Sequence, residues 1–164
     1  MDERRGASSS RISYGLRREP RGAEYRGLIA ALGWIATHAL VVVRDDLWLG
    51  DRGEKLLDDL SAAGATPERV DRWPGTALRG GSRATVLRTA LDTRVRRLLS
   101  EAVDGLYEWQ QPGRPEDLAF LREDGTPLLA SSAGGRGGFL VVDDDELERL
   151  SLTLPWLRDV LVRS

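Results

Sequence analysis

Cysteine is missing from this chain, lysine occurs once, at Lys55, and histidine once, at His38. Without cysteine there is no disulfide framework, no thiolate nucleophile and no zinc–thiolate centre, which suits a reducing compartment. A single histidine confines imidazole chemistry to one position and leaves it without a second imidazole to share a metal. Long apolar runs are also scarce. The longest uncharged stretch, residues 27–43, has 17 residues and includes two glycines, Thr37 and His38. A membrane helix needs about 20 predominantly apolar residues, with a lower limit near 17. The first residues, MDERRGASSSR, carry no apolar segment behind their charges, so no secretory signal is expected there and a cytosolic location follows. No membrane contact is expected.

What is present describes an ordinary folded domain. The 164 residues are 41% hydrophobic and 30% charged, as in a globular chain able to bury a core without staples. The net charge is -2 and the pI about 5.5, which argues against a protein that lives by displacing counterions from nucleic acid. Of 24 basic residues all but Lys55 are arginine. This skew is the mark of a GC-rich genome before it is the mark of a ligand.

Residues 1–23, rich in serine, glycine and arginine, read as a flexible tail, with a short strand conceivable over 11–17 where Ile12, Tyr14 and Leu16 alternate. The domain proper is expected over 24–164. The uncharged run resolves into a helix over 24–37, carried by Leu28, Leu32 and Ile35, feeding a buried strand over 39–44 whose β-branched ALVVV is continuous. Asp51 and Glu54 form a capping pair at the start of a second helix with Leu56, Leu57, Leu60 and Ala63 on one face, ended by Gly64. Residues 66–82, with two prolines and three glycines, read as a long connection anchored by Trp73. Residues 83–109 fit one long helix with Leu87, Leu91, Val95, Leu98, Ala102, Leu106 and Trp109 along one face, or, the reading preferred because such a helix is unusually long for a small domain, a strand over 83–90 and a helix over 93–109 capped by Asp92. Asp124-Gly125 between the apolar runs 118–121 and 128–130 predicts a β-hairpin, and 138–142 supplies another strand. Asp143 and Glu146 then open a short helix, and Pro155 a last one. The fold class is α+β, a mixed or mostly antiparallel sheet with helices packed on one face. The expected core includes Trp34, Leu40, Val42, Leu56, Leu60, Leu106, Phe120 and Leu140.

Several features could carry chemistry. The glycine-rich 131–138 could turn amides toward an anion, with Ser131, Ser132 and Arg136 as further donors to a phosphate or nucleotide ligand. A P-loop, however, needs a lysine and a following helix, and both are missing here. The run Asp143 to Glu148 lacks the spread of ligands that a calcium loop requires and suits a helix start, where the macrodipole favours acids. Asp45-Asp46 closes the central strand, where catalytic carboxylates often sit, but adjacent strand residues point to opposite faces. His38 has no catalytic motif around it and reads as a structural cap. Arginines between 79 and 97 form the most basic stretch, an alternative site for nucleic acid, though nucleic acid is the less expected partner. No metal site and no cofactor are expected, and catalysis is disfavoured. The leading expectation is a small protein-binding module, a regulator, adaptor or neutralising partner of the immunity or antitoxin kind. Trp48, two residues after Asp46, and Trp109, directly after Glu108, both at expected element ends, are its expected anchors.

Overall fold

A computed structural model describes residues 10–164. The first strand, β1 (Ile12–Leu16), is followed by helix α1 (Ala23–Leu32) and the central strand β2 (His38–Arg44). Helix α2 (Asp51–Ala62) leads to edge strand β3 (Thr66–Val70) and a small hairpin of β4 (Arg72–Trp73) and β5 (Thr76–Ala77). Then come β6 (Ala84–Ala90), α3 (Thr93–Ala102) and the meander β7 (Glu116–Leu121), β8 (Pro127–Ser132) and β9 (Gly137–Val142). Helices α4 (Asp144–Thr153) and α5 (Leu157–Val160) and strand β10 (Leu161–Arg163) finish the chain. Eight strands form one sheet in the order β10-β1-β9-β8-β7-β2-β6-β3. Every neighbouring pair is antiparallel.

This order explains why the helices share one face. β1 and β2 run in the same direction and their crossovers through α1 and α2 both advance toward the β3 edge, whereas β6 runs oppositely and its crossover through α3 steps back to β7. Right-handed crossovers, the strong rule for such connections, put all three helices on the same side. There Leu28, Leu32, Leu60, Val95 and Leu99 pack on Val41, Leu118, Phe120, Leu129 and Leu140 in one buried cluster. The opposite face is covered by the β4–β5 hairpin, whose Trp73 lies on Leu40, Val42, Val86, Ala119 and Ala130. Both faces of β2 are thereby buried, so its apolar run is continuous rather than alternating.

Five readings of the sequence need correction. Residues 12–16, placed in the tail, pair with both β9 and β10, so the domain begins well before residue 24; residues 1–9 lie outside the described part. The first helix stops at Leu32, and Trp34, expected in the core, is 56% exposed in the turn that follows. Residues 66–82 are not a bare loop. β3 adds to the edge of β6, where Pro67 is tolerated because an edge strand need not donate every N–H. The helix expected over 93–109 ends at Ala102: Val103 is extended, Glu108 accepts the Asp104 amide at 2.8 Å, and a separate 3-10 turn spans Leu106–Glu108. Finally, the terminal apolar residues end in β10, read from sequence as part of a helix.

One buried ion pair closes the far end of the meander. Arg122 donates to Glu146 from Nε and Nη2 at 3.2 and 2.7 Å and to the carbonyls of Pro127 and Val141 at 2.9 and 2.6 Å. Glu146 also accepts the Asp143 amide while Asp143 caps α4, so the acidic run is absorbed by helix capping and this pair.

Candidate functional site

Antiparallel pairing gathers several connections at one end of the sheet. β2 ends there at Arg44, β3 ends at Val70, β6 and β7 begin there at Ala84 and Glu116, and β8 turns into β9 through residues 133–136. Trp48, the arginines after β5 and the glycine-rich turn, distant in sequence, therefore share one rim.

Two consecutive acids at the start of β7 organise it. Glu116 accepts the Gln111 amide at 3.0 Å. Gln111 in turn holds the segment between β2 and α2: its Oε1 accepts the Arg44 amide at 2.8 Å, and its Nε2 donates to the carbonyls of Leu47, Arg44 and Trp48 at 3.0, 3.3 and 3.4 Å. The Gly50 amide donates to the Pro112 carbonyl at 2.8 Å. Asp117 does the same service on the other side. Its Oδ2 accepts the Trp73 indole N–H at 2.9 Å and its Oδ1 the Ala133 amide at 2.8 Å. It adopts a left-handed backbone, φ 53°, a conformation that Asp tolerates better than most residues and one that lets it follow Glu116 while serving a different set of loops. Burial pushes the Glu116 carboxyl above its usual range, with Asp117 adding to the rise and the Gln111 amide opposing it.

On this framework Trp48 stands out, 73% exposed, beside Leu47 at 41%. Its ring lies over Gly50, where an added Cβ would come within 3.4 Å of the indole. Trp109, the other expected anchor, is wholly buried and donates to the Tyr25 hydroxyl at 3.1 Å. It is core and presents nothing to a partner, because the chain turns inward after the 3-10 turn. Asp45 and Asp46 are separately paired: Arg69 holds Asp45 at 2.5 and 2.8 Å, and Arg44 holds Asp46 at 2.7 and 3.0 Å. These hydrogen bonds keep both carboxyls below their usual range, which commits them as counter-ions rather than as an acid–base couple. A recess of about 390 Å³ opens beside them, lined also by Leu78, Arg79, Ser82 and Arg83. A second of about 520 Å³ lies across the 110–114 segment, where Arg114 is spent on the carbonyls of Ala102 and Gly113.

The other sequence candidates are dispersed. Ser131 is buried and donates its hydroxyl to the Leu118 carbonyl at 2.9 Å, so it is spent within the sheet. Ser132 ends β8, and Arg136 is exposed in the hairpin turn at φ 45°. This connection runs from strand to strand, so no helix N-terminus faces it. His38 pairs through Nδ1 with the Thr37 hydroxyl at 2.9 Å at the opposite end of β2. The basic run 79–97 is split: Arg79 and Arg83 stand on the Trp48 rim, Arg88 is exposed within β6, and Arg94, Arg96 and Arg97 lie past the far end of β6 on α3. Among the described residues no group of three or more His, Asp or Glu is placed to hold a metal ion, and no helix is long and apolar enough to cross a membrane.

Sequence reasoning missed Gln111, Glu116 and Asp117. Their only signal was the position of two acids directly before the apolar run of β7. No family model matches the chain, and no curated protein or solved structure matches it either.

Proposed function

We propose that this chain is a protein-binding module, a regulator, adaptor or neutralising partner that acts by association rather than by catalysis, with Trp48 as its anchor. One observation carries the reading: a tryptophan left in solvent on a segment whose carbonyls are tied down by a buried glutamine. An exposed indole gains nothing for folding, yet tryptophan is the residue that most often dominates binding energy when a partner covers it. Holding its backbone in place lowers the ordering cost of association. The paired aspartates, the committed serine and the distant histidine all have structural partners that account for them without chemistry.

The test compares the intact chain with Trp48→Ala by affinity purification from the host at moderate salt. A stoichiometric partner retained by the first and lost by the second, with an unchanged melting temperature, supports the reading. Equal retention by both removes it.

A further inference from the structure

We infer that the partner covering Trp48 is an acidic protein segment whose carboxylates enter the recess beside it and meet Arg79 and Arg83; this rests on the protein-binding reading above and names the chemistry of the partner. The recess wall includes Asp46, two residues before Trp48 in the same turn, so one ligand can touch both. Its two aspartates are already neutralised, Asp45 by Arg69 and Asp46 by Arg44, each through both carboxylate oxygens.

Arg79 and Arg83 are different. Among the described residues neither takes part in an ion pair, and neither side chain appears in any hydrogen bond of the rim. Two left-handed glycines between them, Gly80 at φ 68° and Gly81 at φ 75°, reverse the chain, and both arginines line the same recess. With the other charges cancelled, the recess keeps two unspent guanidiniums and the Ser82 hydroxyl, in a protein whose net charge is -2. Guanidinium forks match carboxylates in a two-pronged geometry. Leu78 gives the recess an apolar wall for the side chain that bears the acid.

A nucleic acid fits the rim less well. A phosphate backbone is held by an extended track of cations, whereas of the remaining arginines of the basic run Arg88 lies within β6 and Arg94, Arg96 and Arg97 lie past its far end on α3.

The experiment titrates the full chain, at low ionic strength, with acetylated and amidated octaglutamate, reading the Nε–H resonances of Arg79 and Arg83 and the indole N–H of Trp48. A parallel arm uses an eight-nucleotide oligothymidylate. The inference expects saturable shifts of all three resonances with the peptide, affinity at least tenfold weaker in the double variant R79Q/R83Q, and a much smaller response to the oligonucleotide. Arg79 and Arg83 have no partners to lose, so the double variant keeps its melting temperature. The inference is overturned by no saturable shift, by shifts that persist in R79Q/R83Q, or by an equal response to the oligonucleotide. Because the probe is a synthetic peptide, such a failure leaves the partner-retention result for Trp48→Ala standing, whereas equal partner retention by that variant removes the anchor itself.

Discussion

Trp109 and Trp48 are the same side chain in opposite circumstances. Trp109 follows Glu108 at the end of the 3-10 turn and Trp48 lies between Leu47 and Leu49 after β2, and neither setting tells from sequence which ring is buried. Trp109 is fully buried, its N–H passed to Tyr25, whose hydroxyl donates on to the Leu99 carbonyl at 2.6 Å; the site is closed, and burial holds the Tyr25 phenol well above its usual range. Trp48 has its backbone fastened and its ring free. In the first region hydrogen bonds serve the side chain and in the second they serve the chain that carries it.

The sharpest way to test this contrast is at its buried member. Trp109→Ala should lower stability by about 3 to 5 kcal/mol, the usual cost of emptying a core aromatic site, measured by urea unfolding; a loss below about 1 kcal/mol would mean that the residue is not core. The support beneath Trp48 comes next. Gln111→Leu leaves the half-buried Arg44 amide without its partner, at a cost of about 1 to 3 kcal/mol if water does not replace it, and frees the carbonyls of Leu47 and Trp48 to solvent. Both the midpoint of unfolding and partner retention should fall, whereas loss of stability with full retention would show that the fixed backbone is irrelevant to binding.

Glu116→Gln is expected to act in the opposite sense. Burial raises the folded-state pKa of Glu116 above its unfolded value, so the folded protein holds this proton more tightly and ionisation at neutral pH costs stability. That cost is present above the raised folded pKa and is relieved as pH falls through it. The glutamine variant keeps an acceptor for the Gln111 amide, so it should be at least as stable as the parent at pH 7, with the difference vanishing in acid. A variant less stable at neutral pH would show that the charge itself is needed, by Arg44 or a neighbour. The smallest effect belongs to Trp48→Ala, whose stability should stay within about 0.5 kcal/mol of the parent by thermal unfolding. A larger loss would place Trp48 with Trp109 after all.

Much of the fold was legible because periodicity and turn chemistry are local. The Asp124-Gly125 hairpin, the capping pair Asp143 and Glu146 and the Asp92 cap, which accepts the Val95 amide at 2.8 Å, all follow from neighbouring residues, whereas periodicity alone left 83–109 open between one helix and a strand with a helix. What was not legible depends on partners far along the chain. β1 is a weak strand until β9 and β10 flank it, and Thr66 to Val70, with its proline and charges, becomes a strand only because β6 offers an edge. Of the rim, Trp48 was named from sequence, but Gln111 was not, since its partners are carbonyls more than sixty residues away.

The sequence by itself determined the α+β class, the apolar central strand, most helix starts and the exclusion of cysteine chemistry, because these rest on residue type and short-range spacing. Only the tertiary structure decided which tryptophan is buried, which arginines are spent on aspartates, and that Trp48, Arg79 and Arg83 meet on one rim. Those are properties of strand order and of long-range desolvation, and no window of neighbouring residues contains them.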